Sequence, residues 1–315
     1  MLRYIGKRCA SMILIVIAAA FVIFTILYFT PGSPARAMLG SSATADEVLY
    51  LSTQLGLEDP YIVQLGRFFS DVFLHFDFGE SWVFGVPVFD ELATRIPRTM
   101  TIAVTSMIIN ISIGLLLGVY AGTHANQWQD RATMVTTMVF ISCPNFFIAL
   151  MMVLLFSAKL GWLPAYGIDD GFLSYVLPIA ASAIGPIAIN ARQTRSSILE
   201  VFRSDYIVTA RAKGQKENKV VFGHMLPNAL MPVITTVGGV LAHSIAGSPV
   251  IETIFSIPGI GTYMLTAVSN RDYPVLRSCV MFFALFTAVV MLLTDLVYAF
   301  VDPRIKAQYS GGKRK

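Results

Sequence analysis

The side chains that most often bind metals or act as nucleophiles are rare in this chain and are scattered along it. Its four histidines and three cysteines lack the short spacing of metal ligands, and the cysteines, in or beside apolar stretches, indicate small buried side chains rather than disulfides. No cluster of carboxylates or histidines indicates a catalytic site, so we predict no catalytic residue and no metal site. The residues are His75, His124, His224, His243, Cys9, Cys143 and Cys279.

Phosphate chemistry is also unsupported, because no Gly-x-x-x-x-Gly-Lys-Ser/Thr loop occurs in the sequence. Without that backbone cradle the chain is not expected to hold ATP itself. If it does energy-dependent work, the energy must come from a partner protein or from an ion gradient.

A few ionisable residues lie within or beside apolar stretches, where they are candidates for a transport pathway by default. His243 is one, although a packing histidine with a hydrogen bond is equally open. Asp295 lies about five residues from the end of its stretch, close enough to reach the interface. Glu252 precedes a Pro-Gly segment that we expect to kink or re-enter and to form part of an outer gate. The candidate pathway and gate residues are His243, Glu252, Pro258, Gly259 and Gly261.

The composition indicates that a bilayer, rather than water, surrounds most of the chain. Apolar residues make up 55% and charged residues 13% of 315, whereas soluble domains carry roughly 25% charged residues. Six stretches approach the ~20 apolar residues of a spanning helix, which predicts an all-α, polytopic membrane protein. The first, at about 21 residues, exceeds a signal-peptide core of 7–15, so we expect it to be retained. The stretches are 9–29, 99–121, 132–158, 172–191, 228–251 and 275–300.

The basic residues divide unevenly between the two sides of this arrangement. Six spans put both termini on one side, which holds 16 of the 23 Lys and Arg residues and sums to +11, against −6 on the other. Because Lys and Arg accumulate in cytoplasmic loops, both termini are predicted to be cytoplasmic. The expected organisation is a first transmembrane helix (1–30), an extracytoplasmic helical segment (31–97), a five-helix core (98–304) with a cytoplasmic loop (192–227), and a cytoplasmic tail (305–315).

The extracytoplasmic segment 31–97 has helix signals of its own. Thr44 and Glu47 have the spacing of a capping box. Asp59-Pro60 is expected to cap and begin a second helix. A short amphipathic elbow over 88–96 would then lead into the second span.

Glycine recurs every fourth residue at Gly114, Gly118 and Gly122, within the second span. Small residues at this spacing let two helix backbones approach closely in lipid. The pattern predicts a helix contact, either within this chain or with a partner subunit.

The 192–227 loop carries the most information. Ser204 or Asp205 is placed to cap a short helix that Gly214 ends, and a second short helix is expected before Pro227. Apolar and basic residues alternate along both. From this pattern alone, the loop is either an ordinary basic loop that fixes topology or a protruding helical element that docks on another protein.

The loop resembles the EAA motif of ABC importer permeases, in which Glu-Ala-Ala is followed by a glycine and then by Ile-x-Leu-Pro. Four positions match in register, Ala210, Gly214, Leu226 and Pro227, whereas other residues replace the Glu, the first Ala and the Ile. These departures, at Val208, Thr209 and His224, resemble the peptide branch, where Tyr-x-x-Thr-Ala-Arg-Ala-Lys-Gly is usual. The residues that the resemblance assigns to coupling with an ATPase are Asp205, Tyr206, Thr209, Ala210, Arg211, Ala212, Lys213, Gly214, Leu226 and Pro227.

The resemblance extends over nearly the whole chain, which is similar to the "B" subunit of the dipeptide/oligopeptide/nickel permease family. Ser33 replaces the Asp of the branch's Pro-Gly-Asp-Pro, and the segments 161–164 and 188–192 lean toward the nickel permeases. Other matching segments, in order, are 31–34, 55–60, 78–81, 87–88, 194–200, 252–261, 271–274 and 302–304.

Membership would imply a type I ABC importer permease fold in the bacterial cytoplasmic membrane. It would also imply a homologous second permease subunit, two ABC ATPase subunits and an extracytoplasmic substrate-binding protein as partners, and no nucleic acid. ATP and Mg would be bound by the ATPases, and this chain would hold no cofactor.

The substrate stays open between peptides and nickel or a nickel chelate. Peptide ranks first because the 14 methionines and few histidines do not cluster into a soft-metal path. The alternative of another class is a secondary transporter driven by an ion gradient, which would be expected to carry ionisable residues deep in several spans and an internal repeat.

Overall fold

The structure is a computed structural model that describes residues 2–40, 42–246 and 248–301. This part of the chain is helical, and its only β-type pairing is an isolated antiparallel bridge between Glu80 and Pro87. Two π-helical segments adjoin these helices, Val153–Lys159 directly after α7 and Val221–Met225 directly before α11. The helices are α1 (Leu2–Phe29), α2 (Pro34–Leu39), α3 (Ala45–Gln54), α4 (Tyr61–Leu74), α5 (Val88–Thr123), α6 (Trp128–Ser142), α7 (Asn145–Met152), α8 (Leu173–Phe202), α9 (Asp205–Ala212), α10 (Glu217–Val220), α11 (Leu226–Ala246), α12 (Ser248–Ile254), α13 (Ile260–Asn270) and α14 (Tyr273–Val301).

Five described helices are long and apolar enough to cross a membrane, and the count reaches six if one bent pair is a single span. The five lie within α1, α5, α8, the α10–α11 run and α14. The fourth predicted span corresponds to α8, which keeps Pro178 and Pro186 inside the helix. Half of its apolar window is buried, against 17% for α1, so α8 packs mainly against other parts of this chain.

The third predicted span, 132–158, is a broken helix in the structure. α6 ends at Ser142, and the chain bends by 99° before α7 continues through the π-helical segment to Lys159. Pro144 causes the break because it has no N–H to donate and disfavours helical backbone at the residue before it. It stands as the N-cap of α7, and Cys143 is extended.

The described chain forms two compact units. The first comprises residues up to 8, 100–257 and from 289 onward, and the second comprises 9–99 and 258–288.

In the first unit, the glycine stripe of α5 lies directly against α8, so the predicted helix contact is confirmed and is made within this chain. A Cβ at Gly118 would meet the Thr194 side chain and stand 2.6 Å from the Ala191 carbonyl oxygen. A Cβ at Gly114 would stand 3.0 Å from the Cβ of Asn190. The same helices share a buried amide pair, in which Asn190 Nδ2 donates to Asn110 Oδ1 at 2.7 Å.

In the second unit, the 31–97 segment is helical as predicted. The capping box of α3 is confirmed, with the Thr44 hydroxyl accepting from the Glu47 amide and the Glu47 carboxylate accepting from the Thr44 amide. Asp59 does not cap α4, however, because its carboxylate binds Arg67 at 2.7 Å instead, and Pro60 occupies the N-cap.

The predicted elbow over 88–96 is not a separate element. α5 begins at Val88 and runs without interruption through Pro97. Val88 and Leu92 are buried in one apolar cluster with Ile260 and Leu276, and this packing holds the first turns of α5 in line with the rest of the helix.

The second unit is also joined across a long sequence separation by Asp272. Its carboxylate accepts a hydrogen bond from the Ser81 hydroxyl at 2.5 Å and from the Trp82 amide at 3.2 Å. Both Ser81 and Asp272 are buried. The contact brings together two of the segments through which the sequence resembles the permease family, 78–81 and 271–274.

Candidate functional site

The helix predicted around Tyr206–Lys213 is α9, which lies on the surface of the first unit. Its buried side consists of Ile207 and Ala210, three residues apart and therefore on one helix face. These two side chains pack into an apolar cluster with Val119 of α5 and Ile198 of α8. α9 is therefore anchored directly on the two helices that pack through the glycine stripe.

The opposite face of α9 is exposed. Tyr206, which the sequence pattern groups with the apolar positions, is 45% exposed, and Val208 is 59% exposed. Such side chains on a surface indicate a site that contacts another protein when several lie together. The exposed face comprises Asp205, Tyr206, Val208, Thr209, Ala212 and Lys213.

Gly214 ends α9 as predicted. Its φ of +72° lies in the left-handed region that glycine adopts without steric cost, and its amide donates to the Arg211 carbonyl oxygen at 2.9 Å. The predicted capping side chain at Ser204 makes no cap hydrogen bond, and the Ser204 carbonyl oxygen instead accepts from the Ile207 amide at 3.0 Å.

Arg211 joins α9 to α10. Its guanidinium donates to both carboxylate oxygens of Glu217, at 3.1 and 2.5 Å, and its central carbon lies 4.2 Å from the centre of the Phe202 ring. The hydrogen bond to Glu217 raises the pKa of Arg211 above its ordinary value, so the charge persists at any physiological pH. Sequence reasoning missed Phe202 because it stands at the end of α8, outside the period of α9.

The second half of the 192–227 loop forms a more continuous helix than predicted. The short helix before Pro227 is α10, but the chain then passes through the π-helical segment into α11 without leaving helical conformation. Pro227 is the second residue of α11 and is exposed, whereas Leu226 packs beside the buried cluster under α9. Proline lacks the N–H that a regular helix would use, and Pro227 stands just after the π-helical segment, where the regular α-helical hydrogen bonding is already interrupted.

The candidate pathway residues with ionisable side chains lie on different helices. The side chain of His243 lies outside the described part of the chain. Glu252 is fully buried on α12 in the first unit. Asp295 of α14 forms an ion pair with Arg8 at 2.8 Å, and both belong to the first unit.

The Pro-Gly segment interrupts the helical chain, as the predicted kink requires, between α12 and α13. In the second unit, the Pro258 carbonyl oxygen accepts from Arg98 at 3.0 Å, and the Ile260 amide donates to the Thr99 hydroxyl at 2.9 Å. Gly259 is the N-cap of α13 and, like Gly261, is buried. The first third of α5 therefore holds this turn, and no periodic pattern of residues indicates this contact.

Arg95 adds a further contact between α5 and α13, the helix that begins at this turn. It donates twice to Glu91, at 3.0 and 2.8 Å, and its guanidinium carbon lies 4.3 Å from the centre of the Tyr263 ring. Burial, with the nearby charges of Asp272 and Glu91, raises the pKa of Tyr263 to about 12. The ring is therefore neutral at physiological pH and serves as an aromatic surface for the cation.

Comparison with known proteins covers this chain almost completely. Residues 114–307 match the family described as binding-protein-dependent transport system inner membrane component, and residues 1–103 match that of the N-terminal membrane component of such systems. The dipeptide transport system permease protein DppB of Alkalihalophilus pseudofirmus is 37% identical over 97% of this chain and 100% of its own length. The glutathione transport system permease protein GsiC of Salmonella paratyphi A is 37% identical over 97% and 99%.

The fold has counterparts among solved structures. A chain of the MetNI methionine ABC transporter, in an inward-facing conformation, superposes with a TM-score of 0.57 over 67% of this chain and 96% of that chain, at 17% identity. At this identity the likeness concerns the fold alone. It agrees with the type I ABC importer permease fold that the sequence resemblance implied.

Proposed function

This chain belongs to the family of binding-protein-dependent transport system inner membrane components, and from that premise we propose that it is the permease subunit of an ATP-driven importer of short peptides. Two relatives that match this chain over almost their whole length are named for dipeptide and glutathione transport. These names favour peptides over nickel as the substrate class. The family consists of multi-pass inner membrane transport components and not of enzymes, so ATP hydrolysis is assigned to separate subunits.

The observation that carries the proposal is the construction of α9. Its motif residues lie on an exposed helix whose buried side, Ile207 and Ala210, is packed on α5 and α8. A force applied to the exposed face by a partner would therefore pass directly into two membrane-spanning helices. This is the arrangement that a coupling element requires.

The proposed partners are two ABC ATPases, a homologous second permease and an extracytoplasmic binding protein. Each ATPase would receive one coupling helix in a surface cleft, and closure of the ATPases would move that helix. Rigid-body movement between inward-open and outward-open states would follow, as in other two-state switches. ATP and Mg would stay on the ATPases.

The proposed topology has six spans and both termini in the cytoplasm. It counts α6, α7 and the following π-helical segment as one broken span, since lipid tolerates a broken helix where the protein covers it. The strong excess of Lys and Arg on the side of the termini supports this orientation.

The Pro258–Gly261 turn is proposed as part of the outer gate. Its support is the hydrogen bonding of the turn to Arg98 and Thr99 at the start of α5, which would tie movement of the turn to movement of α5. Glu252 and His243 remain proposed pathway residues because they lie within or beside apolar stretches of the sequence.

Reconstitution tests the function. We expect proteoliposomes containing both permeases and both ATPases, with the binding protein outside and ATP inside, to accumulate a labelled dipeptide. Omission of ATP or of the ATPases should reduce uptake to the level of empty vesicles. Uptake by this chain alone, driven by an ion gradient, would instead establish a secondary transporter.

A further inference from the structure

The second unit contains a partly open cavity of about 530 Å³ that the proposed coupling function does not use. α1, α4 and α14 contribute to its walls, together with the segment 77–82. Aromatic rings form much of the apolar lining, and charged side chains form the rest. The aromatic residues are Phe24, Tyr28, Phe68, Phe78, Trp82 and Tyr273.

Arg277 of α14 brings a positive charge into this cavity. Its Nε donates to the Tyr273 carbonyl oxygen at 3.3 Å, and its guanidinium carbon lies 4.7 Å from the centre of the Phe68 ring. Within the described chain, no carboxylate lies within 4.0 Å of the guanidinium, and its two terminal nitrogens donate to no protein acceptor. The Phe68 ring thus positions the Arg277 guanidinium, and the two terminal nitrogens of Arg277 stay available to donate hydrogen bonds to a ligand.

Asp71 of α4 lines the same cavity and brings the opposite charge. It is one of two acids whose charges act on Arg277, yet the two groups do not form a direct ion pair. Among described residues, none donates a hydrogen bond to the Asp71 carboxylate. The other acid, Asp272, is already engaged by Ser81 and Trp82.

The remaining charged residues of the cavity lining are mainly acidic. Arg67 is bound to Asp59 at 2.7 Å, so it is partly neutralised. Glu58, Asp77 and Glu80 also line the cavity. The cavity lining therefore offers one guanidinium with available terminal N–H donors, together with several carboxylates.

We propose that this cavity is a binding site for a small zwitterion that carries both an anionic group and a primary ammonium. The anionic group would accept hydrogen bonds from the terminal nitrogens of Arg277, a geometry that suits carboxylate and phosphate oxygens. The ammonium would face Asp71 and the acids beside it. A guanidinium and a carboxylate held apart in one cavity are each satisfied by such a ligand, whereas a simple anion or cation satisfies only one of them.

Two sources supply this chemistry, the termini of a short peptide and the phosphoethanolamine headgroup of a lipid. The identification of the ligand as a peptide rests on the proposed function, whereas the existence of the site does not. The assembled importer, without its binding protein, is therefore placed in nanodiscs of phosphatidylcholine, which has no primary ammonium. Equilibrium dialysis measures binding of labelled dialanine, and native mass spectrometry measures retention of added phosphatidylethanolamine.

The expected result is saturable binding of at least one of the two ligands. Arg277→Gln should weaken it by about 10- to 100-fold, because a hydrogen-bonded charge partner is lost. For dialanine, C-terminal amidation should weaken binding to the wild type and have little further effect on the variant. Arg36→Gln is the matched control, since Arg36 is an exposed arginine of the same unit that does not line the cavity.

Asp71→Asn provides a second test that does not depend on the fold of the Arg277 variant. It should remove the preference for a free ammonium over an N-acetylated or N-methylated ligand. The proposal is overturned if the wild type retains neither ligand, or if Arg277→Gln and Asp71→Asn both bind as the wild type does. Retention of the lipid alone would keep the site and assign it to the headgroup, whereas loss of ATP-driven peptide uptake would count against the proposed function and not against the site.

Discussion

The guanidinium of Arg211 donates to both carboxylate oxygens of Glu217, and it thereby closes the turn at Gly214 between α9 and α10. Phe202 lies on the other side of Arg211, at 4.2 Å. One side chain therefore contacts the end of α8, α9 and the start of α10. The loop that we propose to dock on the ATPase is therefore held together by contacts among its own helices.

Arg211→Gln should impair coupling more than it impairs folding. The ion pair is exposed on the Glu217 side, and such pairs contribute no more than about 1 kcal/mol to stability. Loss of the clamp would nevertheless let α9 move without α10. We expect a several-fold fall in peptide uptake per ATP hydrolysed in the reconstituted importer, with a nearly unchanged melting temperature.

The charge-reversed pair, Arg211→Glu with Glu217→Arg, is the control for this prediction. The double variant restores a salt bridge with the two charges exchanged. It should therefore recover part of the coupling that is lost in Arg211→Glu alone and in Glu217→Arg alone. Equal coupling in all four proteins would show that the clamp has no role in transmission.

Gly214 should tolerate asparagine but not valine. A Cβ at this position meets no atom within 4 Å, so the cost of a substitution lies in the backbone, whose φ is +72°. Asparagine visits the left-handed region readily, while a β-branched residue there is strained by about 1–3 kcal/mol. Gly214→Val should therefore uncouple ATP hydrolysis from uptake, and Gly214→Asn should retain both. Normal transport by the valine variant would remove the coupling role of this turn.

Gly118→Ala should destabilise the first unit. The added methyl would overlap the Thr194 side chain and approach the Ala191 carbonyl oxygen to 2.6 Å, and overpacking of this kind costs about 1–3 kcal/mol. Gly239→Ala on α11 is the matched control because its Cβ would meet nothing within 4 Å. Thermal unfolding in detergent should separate the two variants, and equal melting temperatures would contradict the close contact of α5 with α8.

The capping box of α3 should make the stability of that helix depend on pH. Hydrogen bonds from the Thr44 amide and hydroxyl hold the pKa of Glu47 below its ordinary value. A carboxyl whose pKa is lowered by folding stabilises the fold fully above its ordinary pKa, and this contribution is lost as pH falls through the lowered value. Hydrogen exchange of the first α3 amides should therefore accelerate at acid pH, relative to the intrinsic rate, in the wild type. In Glu47→Gln the protection should be lower and independent of pH, and a pH-dependent response there would assign the effect to another group.

The sequence predicted most of the helices because their signals are local. The Thr44 capping box, the end of α9 at Gly214 and the packing of the glycine stripe each depend on residues that are close in sequence or share a helix face. Sequence reasoning failed where a distant or competing contact decides. Asp59 binds Arg67 instead of capping α4, and the buried surroundings of Val88 and Leu92 keep α5 continuous.

The helix break at Pro144 was not predicted for a different reason. The apolar stretch 132–158 satisfies the length and hydropathy of one span, and these two measures do not register a proline in its middle. The contacts that hold the candidate gate turn in place could not be predicted from the sequence either. Arg98 and Thr99 lie about 160 residues from the turn that they hold, and no spacing rule connects positions that far apart.

Cysteine crosslinking between α9 and the ATPase tests the central claim most directly. Thr209→Cys, on the exposed face, should crosslink to an engineered cysteine in the surface cleft of one ATPase, and the crosslinked complex should lose ATP-driven peptide uptake until it is reduced. Ala229→Cys, whose side chain is buried on α11, should give no crosslink. Failure of Thr209→Cys to reach any ATPase, together with labelling of Lys213→Cys from the extracytoplasmic side, would contradict the account.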